Sequence, residues 1–565
     1  MAKVYLDSGE SFTLANSATV YGSTGSEKVT IASGVGGVIT DQNVERVIFS
    51  GGVADYKYKQ EGNTLKVYDS AGTTLLATMP LQGDSDGTAI EMSGSTYNAT
   101  LVSGVMKLGG STIGSTIASA TGATTGTTTG TGTTAASFSS TNNTYGTLSA
   151  SADTNVKALD SATHWTSSAI TYSFNASIPT EYSGDTARTN GWRTLADWEK
   201  TIAREVFTDL GHYVSKTFSE TTSGGDIRLN SVTTSGSAGF AYYPGDGYAG
   251  DVFLSNVLQD EAQYLTSSGG TYGSYGRSTV YHEIGHAMGL KHTFEEGVTL
   301  SSSEENTWYS VMSYTEYGER VPVFTLSTSS INVSKSGDAH TTGYSIYDID
   351  ALQAAYGANT TYNTGDNTYT FSGKTPQYLT IWDAGGKDKI DSSGATGDCT
   401  INLNSNTLSS VDTTTAAAQA TAKIAELSTQ ANYSSSYATF ISDTYTTMDT
   451  AKSLYKGENN LGIAKGVIIE DVSTGSGNDK ITDNSVNNNI SLGSGTNQVY
   501  LYNGGYDTVI GGSGMDIVYI KDNASAVTST TSADGSVTIV GSYFAAVLTG
   551  VEKLYYLDGS SATIA

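Results

Sequence analysis

The chain has 565 residues, 37% hydrophobic and 15% charged, with a formal net charge of −27. The length exceeds one ordinary domain, so two to four are expected, and 55 acidic against 28 basic residues exclude non-specific nucleic-acid binding, because phosphate contacts need Lys and Arg. A single cysteine, Cys399, excludes an intrachain disulfide and a zinc site built mainly from thiolates, and no run of about 18 apolar residues offers a transmembrane span.

Residues 1–110 read as short strands, among them KVTIAS, RVIFSGG and TLKVYDSAG, separated by Gly, Asn and Ser turns, which is the pattern of a small all-β domain. The first residues, MAKVYLDSGESFTL, lack the apolar centre of a Sec signal peptide. Residues 111–150 are dominated by Gly, Ser, Thr and Ala and are expected to form a flexible linker. A catalytic domain is expected over 151–360. Within it ITYSFNAS, DIRLNS, GFAYYPG and DVFLS read as strands, and apolar residues from Leu195 to Val214 recur every three or four positions as in an amphipathic helix. Further helices are predicted over Ser278–Met288 and Asp348–Tyr356, each closed by a glycine, Gly289 or Gly357. Beyond 360 come Gly-Asp-apolar clusters, interrupted by an Ala-rich helical stretch, Thr413–Gln430.

The sharpest signal is His282-Glu283-Ile284-Gly285-His286-Ala287-Met288-Gly289-Leu290-Lys291-His292. On a helix His282 and His286 leave the same face and can chelate one zinc ion. Gly289 can adopt positive φ and turn the chain back, so His292 supplies a third ligand. Three protein ligands leave a fourth position for water, as in catalytic zinc sites, and Glu283 is placed to take a proton from it. Three surface histidines without metal are the plain alternative; it loses weight because three of only six histidines fall in this window.

This motif resembles the metzincin zinc-peptidase signature, and Ser310-Val311-Met312-Ser313-Tyr314 narrows the resemblance to the serralysin-like group. It covers roughly residues 155–522 and implies an α+β metzincin domain hydrolysing extracellular proteins or peptides. By the same resemblance Met312 is the turn methionine beneath the ligands. Tyr314 is a residue that contacts zinc and swings away to stabilise the oxyanion. Phe240, Ala241 and Tyr242 are expected to form the edge strand that pairs with an extended substrate; a plain core strand is an equal alternative on pattern alone.

The C-terminal segment, 361–565, carries the nonapeptide pattern of calcium-binding rolls. Candidate calcium ligands are Gly475, Gly477 and Asp479 in one turn and Gly512, Gly514 and Asp516 in another. Two intervening turns are degraded: Gly493 and Gly495 precede Asn497 instead of an aspartate, and Asp507 follows a turn that has lost two glycines. Fewer or weaker calcium sites than in a regular roll are expected. Resemblance to the group adds Asp383, Gly385 and Asp388 as calcium ligands, with Glu470 from a later segment. The expected whole is multidomain: an N-terminal all-β domain, the metzincin domain, and a C-terminal parallel β-roll or β-sandwich holding several calcium ions beside one catalytic zinc.

Calcium-dependent folding of acidic repeats suits export, and the resemblance implies one-step (type I) secretion from a Gram-negative bacterium, although the chain ends SSATIA where an acidic-plus-apolar ending is expected. A monomer is expected. The N-terminal domain is read as an attachment module for a surface layer or glycan, or else as an inhibitory cover. Attachment is preferred because a long linker holds an inhibitor loosely. The competing function class is a calcium-roll scaffold carrying a relic peptidase domain; retention of His282, Glu283, His286 and His292 argues for the enzyme.

Overall fold

A computed structural model of the chain describes residues 2–5, 11–21, 28–40, 44, 46–61, 64–80, 88–93, 95–102, 105–120, 145–146, 153–234, 237–245, 248–256, 274–295, 297–318, 320–371 and 377–564. Two compact units emerge, residues 1–138 with 180–186, and residues 139–179 with 187–565. Most of the expected Gly/Thr linker, 121–144, lies outside the described residues.

The first unit is a short parallel roll. Strands Ala2–Tyr5, Ala18–Tyr21, Val38–Thr40 and Leu75–Pro80 pair in parallel in one sheet. Strands Ser11–Leu14, Lys28–Ile31, Arg46–Phe49 and Thr88–Met92 do the same in a second. Consecutive strands alternate between the sheets, and antiparallel strands close each stack. Alternating residues point inward, so Val29 and Ile31, Val47 and Phe49, Ile90 and Met92 fill one apolar core. The strands continue past residue 110: Ser111–Ile113 pairs with Val105–Leu108, and Ala118 bridges Tyr58, because Ile113 completes the buried row.

In the second unit a five-stranded sheet runs Thr217–Thr221, Ala169–Phe174, Ile227–Val232, Asp251–Ser255, Gly239–Ala241. Four strands are parallel, and Gly239–Ala241 lies antiparallel at one edge. The helix Asp197–Tyr213 buries Ile202, Ala203, Val206, Phe207 and Leu210, and Phe207 stacks on Tyr172 of the sheet at 3.9 Å. The helix Tyr275–Ala287 begins on Ser274, whose hydroxyl accepts the Arg277 amide, and it packs on the strands Asp251–Ser255 and Gly239–Ala241.

The C-terminal part of this unit is a roll of two further parallel stacks. Lys389–Asp391, Asp471–Ser473, Asn489–Ser491, Gly505–Ile510 and Phe544–Thr549 form one face. Asp398–Asn402, Lys480–Thr482, Ser494–Leu501, Ser513–Ile520 and Lys553–Tyr555 form the other. The Ala-rich insert holds the expected helix, Ala416–Ser428, and a second, Tyr437–Thr450, packed against it. Together with Phe324, Leu326 and Ile331 of the hairpin Arg320–Asp338 they form a separate small core. The multidomain, β-rich expectation holds in these coarse terms.

Candidate metal centre

The histidine helix ends as its sequence predicts. Gly289 sits at φ 89°, and a Cβ there would lie 2.3 Å from the Thr163 carbonyl, so only glycine fits. Two helix carbonyls left without helical partners are satisfied from outside: Trp165 Nε1–H donates to Ala287 and the Tyr356 hydroxyl to Met288. The turn brings His292 back, and its Nε2 lies 3.1 Å from Nε2 of both His282 and His286. Among the described residues these three histidines are the one cluster of His, Cys, Asp or Glu suited to a metal ion by proximity of ligand atoms.

The other ring nitrogens fix the tautomers. His282 Nδ1 is 2.8 Å from the Val311 carbonyl and His286 Nδ1 is 2.7 Å from the Leu290 carbonyl, while His292 Nδ1 meets the Glu295 carboxylate. Carbonyls and carboxylates only accept, so each Nδ1 carries the proton and each Nε2 presents a lone pair. Burial pushes His282 down to about 4 and holds His286 well below its ordinary value, so both rings are neutral near pH 7. Three converging lone pairs repel one another unless a cation sits among them, and neutral imidazoles with second-atom acceptors are the usual zinc donors. The residues present therefore fit the implied ion.

Glu283 is buried, and its Oε2 has no hydrogen-bond partner. Desolvation pushes its carboxyl up to about 8. Gly239 of the edge strand lies against it, and a Cβ there would come within 2.8 Å of Glu283 Oε1. Met312 is fully buried beneath the helix; its sulfur would lie 2.9 Å from a Cβ at Gly285. Tyr314 is 66% exposed, and its hydroxyl donates to His292 Nε2 at 2.8 Å. Phe240 and Ala241 fall in the edge strand, and Tyr242 follows it, its amide bonded to the Asp251 carbonyl at 3.0 Å.

Three contributors went unread in the sequence. Glu295 holds His292 and also accepts from the Tyr243 hydroxyl at 3.2 Å; burial raises its carboxyl, but the His292 and Tyr243 bonds hold it below its ordinary value. Gly239 makes room for the Glu283 carboxyl. Asp348 accepts from Ser310 Oγ at 2.6 Å, Val311 N at 2.8 Å and Ser345 N at 2.9 Å, so a buried carboxylate buttresses the turn that orients His282; burial pushes it up to about 7. The acidic residue three positions after His292 was the available signal for Glu295. The other two partners are distant in sequence.

The calcium candidates line up at the two edges of the roll. At one edge Asp388 Oδ1 accepts the Asn367 amide at 2.8 Å, Glu470 accepts the Asp388 amide at 2.7 Å, and Asp507 accepts the Asn488 amide at 2.9 Å. At the other edge the row is Cys399, Asp479, Asn497 and Asp516. Asp479 accepts the Cys399 amide at 2.8 Å, and Asn497 both accepts the Asp479 amide at 2.9 Å and donates its Nδ2 to Asp516 at 2.7 Å. Burial pushes Asp388 up to about 6 and Asp507 up to about 7. One oxygen of each of Asp388, Asp479 and Asp507 is buried without a partner. Asp383 accepts the Gly385 amide at 2.8 Å and the Tyr369 hydroxyl at 2.6 Å. A Cβ at Gly475, Gly477, Gly493, Gly495, Gly512 or Gly514 would overlap a carbonyl of the preceding turn, at 2.3 Å or less in every case, so stacking requires these glycines. Orphaned carboxylate oxygens beside stacked carbonyls fit a hard cation such as calcium.

Comparisons with known proteins agree with this picture. Residues 226–319 match the family described as "Pregnancy-associated plasma protein-A" peptidases, and residues 347–426 match "Peptidase M10 serralysin C terminal". The chain is 30% identical over 312 residues to Metallopeptidase AprA of Pseudomonas marginalis, covering 51% of this chain and 54% of that protein. It is 27% identical over 342 residues to Metalloprotease AprA of Pseudomonas entomophila, covering 56% and 59%. It is 34% identical over 192 residues to Serralysin A of Dickeya chrysanthemi, covering 31% and 37%. The chain thus spans about half the length of the first two relatives. These matches show the resemblance to serralysin-like metzincin metalloproteases that the histidine motif carries, and that family implies zinc. No helix among the described residues is long and apolar enough to cross a membrane.

Proposed function

We propose that this chain is a secreted zinc endopeptidase. The supporting observation is the convergence of three Nε2 lone pairs beside a buried carboxylate, Glu283, under an edge strand. His282, His286 and His292 would hold a zinc ion, which would supply the Lewis acidity that brings a bound water's pKa near 7. A cation beside Glu283 would offset the burial that raises its carboxyl, so that the carboxylate accepts the proton of the attacking water and hands it to the leaving amine. Tyr314, whose hydroxyl bonds to His292 and whose ring packs against His282, His292 and Phe294 while two thirds exposed, swings from His292 to donate to the oxyanion. Gly239–Ala241 receives an extended substrate by main-chain pairing.

The edges of the roll bind calcium through Asp383, Asp388, Glu470, Asp479, Asp507 and Asp516 with the turn glycine carbonyls, and this stabilises the C-terminal part after export. Glu283→Ala tests the reading. Hydrolysis of a casein-type substrate falls by about 10²–10⁴-fold while zinc content stays unchanged. A wild-type chain that binds zinc but cleaves nothing would falsify it.

A further inference from the structure

The helical insert, which the sequence left without a role, is tied to the segment that follows the Met312 turn. Its exit segment is stitched to the chain that leaves Tyr314: the Gly318 amide donates to Lys452 at 2.9 Å, the Arg320 amide to Ser453 at 2.8 Å, and the Tyr455 amide to Arg320 at 2.8 Å. Between these two segments lies a cavity of about 400 Å³, within the range of small-ligand pockets. Trp308, Tyr317 and Tyr378 give it aromatic walls, and Leu454 adds an aliphatic patch. Trp308 and Tyr317 pack tilted at 5.4 Å, and the Tyr378 hydroxyl is fixed by a 2.9 Å bond to the Gly318 carbonyl.

Charge decides what fits. Lys456 is bound on both sides, to Asp449 at 2.9 Å and Glu458 at 3.0 Å. Lys452 stands over the Tyr317 ring at 5.2 Å. The four ionic lining groups are two lysines, one aspartate and one glutamate, so their charges cancel. A charged occupant gains nothing net, whereas a neutral ring meets aromatic walls and a cation, both favourable to its faces and edges.

Position decides whose ring it is. Tyr317 is three residues from Tyr314, whose hydroxyl touches His292. Three residues of chain reach at most about 11 Å, and an extended substrate advances about 3.3 Å per residue. We propose that this cavity is a remote subsite that takes a neutral aromatic side chain of the substrate polypeptide, about three to five residues from the cleaved bond. This rests on the peptidase reading above for the identity of the occupant.

The test uses the full-length zinc- and calcium-loaded protein and paired internally quenched peptides. Members of a pair differ by Tyr or Ala at one position three to five residues from the scissile bond. At one such position Tyr raises kcat/KM about 10-fold, through KM where the ring is held equally in ground and transition states and through kcat where its binding orients the scissile bond. Lys452→Asn, which suits the residue's positive φ of 56°, and Tyr317→Leu each bring that ratio close to one. Saturation-transfer NMR with N-acetyl-tyrosinamide supplies a readout independent of turnover: signal in the wild type, loss in both variants. A Tyr/Ala ratio that is unity in the wild type, or unchanged in both folded variants, overturns the subsite while leaving the peptidase standing. Probe binding without any peptide hydrolysis supports the cavity as an aromatic site and sinks the peptidase reading instead. Absence of probe binding overturns the cavity.

Discussion

The histidine cluster and the acidic edges of the roll meet the same physical problem with opposite construction. At the cluster, three donors come from one short stretch of chain, and each ring is fixed by a dedicated acceptor before any ion arrives. At the edges, the donors come from turns far apart in sequence: Asp388 and Glu470 meet across 82 positions, and Asp479 meets Cys399 across 80. The cluster is preorganised because the helix and its Gly289 turn hold it. The edges are assembled only when the roll is stacked, and stacking there brings buried carboxylates together with unpartnered oxygens. If both places hold ions as proposed, the local site is expected to tolerate loss of its ion without unfolding, whereas a site shared between turns is not.

Several experiments break or sharpen this contrast. The largest effect is expected at the base: Glu283→Ala lowers kcat/KM by about 10³-fold with no change in Tm beyond a degree or two, read by peptide hydrolysis and scanning calorimetry. A comparable loss of Tm would mean that the cluster is structural.

Gly239→Ala comes next. The added Cβ meets Glu283 and the Phe253 carbonyl, so the base is displaced, and kcat/KM falls by about 10²-fold. Circular dichroism should show an unaltered fold.

Chelation with EGTA is expected to produce a large fall in the Tm of the roll, with activity lost alongside, since each proposed ion at a hundredfold above its Kd contributes about 2.7 kcal/mol. The first unit, whose core is apolar and holds no candidate calcium ligand, serves as the internal control and keeps its transition. The pH dependence carries a sign. Asp388 and Asp507 have folded-state values raised to about 6 and about 7, above those of the unfolded chain. Their folded forms hold protons that the unfolded chain has released. In EGTA this contribution is complete below about pH 4 and is lost as pH rises through 6 and 7. With calcium present the slope reverses, because the ion needs the ionised forms. Calorimetry between pH 4 and 8, with and without calcium, separates the two cases.

The smallest effect is expected at Asn497. Its amide now supplies the proton that Asp516 accepts. Asn497→Asp removes that donor, costs about 1–3 kcal/mol without calcium, and adds one bound calcium when the ion is present. An unchanged calcium stoichiometry would count against ions at this edge.

The same contrast explains what could be read from the sequence. The histidine site was legible because its donors lie at helical spacing with a glycine stop, and the helix ends at Gly289 and Gly357 followed from residue chemistry alone. The parallel pairing of the first unit was not legible, since short alternating strands such as KVTI and RVIF state which face is buried but not which neighbour runs beside them. The helix Tyr437–Thr450 was missed because its Thr-rich, polar sequence has weak intrinsic helicity and is held by packing through Ile441 and Tyr445. Glu295 and Asp348 were overlooked for a related reason: a buttressing carboxylate carries no motif of its own and is recognised only by what it touches.

Asp348 has one consequence for how the molecule comes together. It lies on the helix Ile346–Tyr356, and that helix rests on the strand Leu461–Ile463, so closely that a Cβ at Gly462 would lie 2.5 Å from an Ile346 methyl group. The back wall of the candidate metal centre is thus shared with the roll behind it. On the proposed peptidase reading, the Met312 turn is fully braced only once the strand Leu461–Ile463 has docked against this helix.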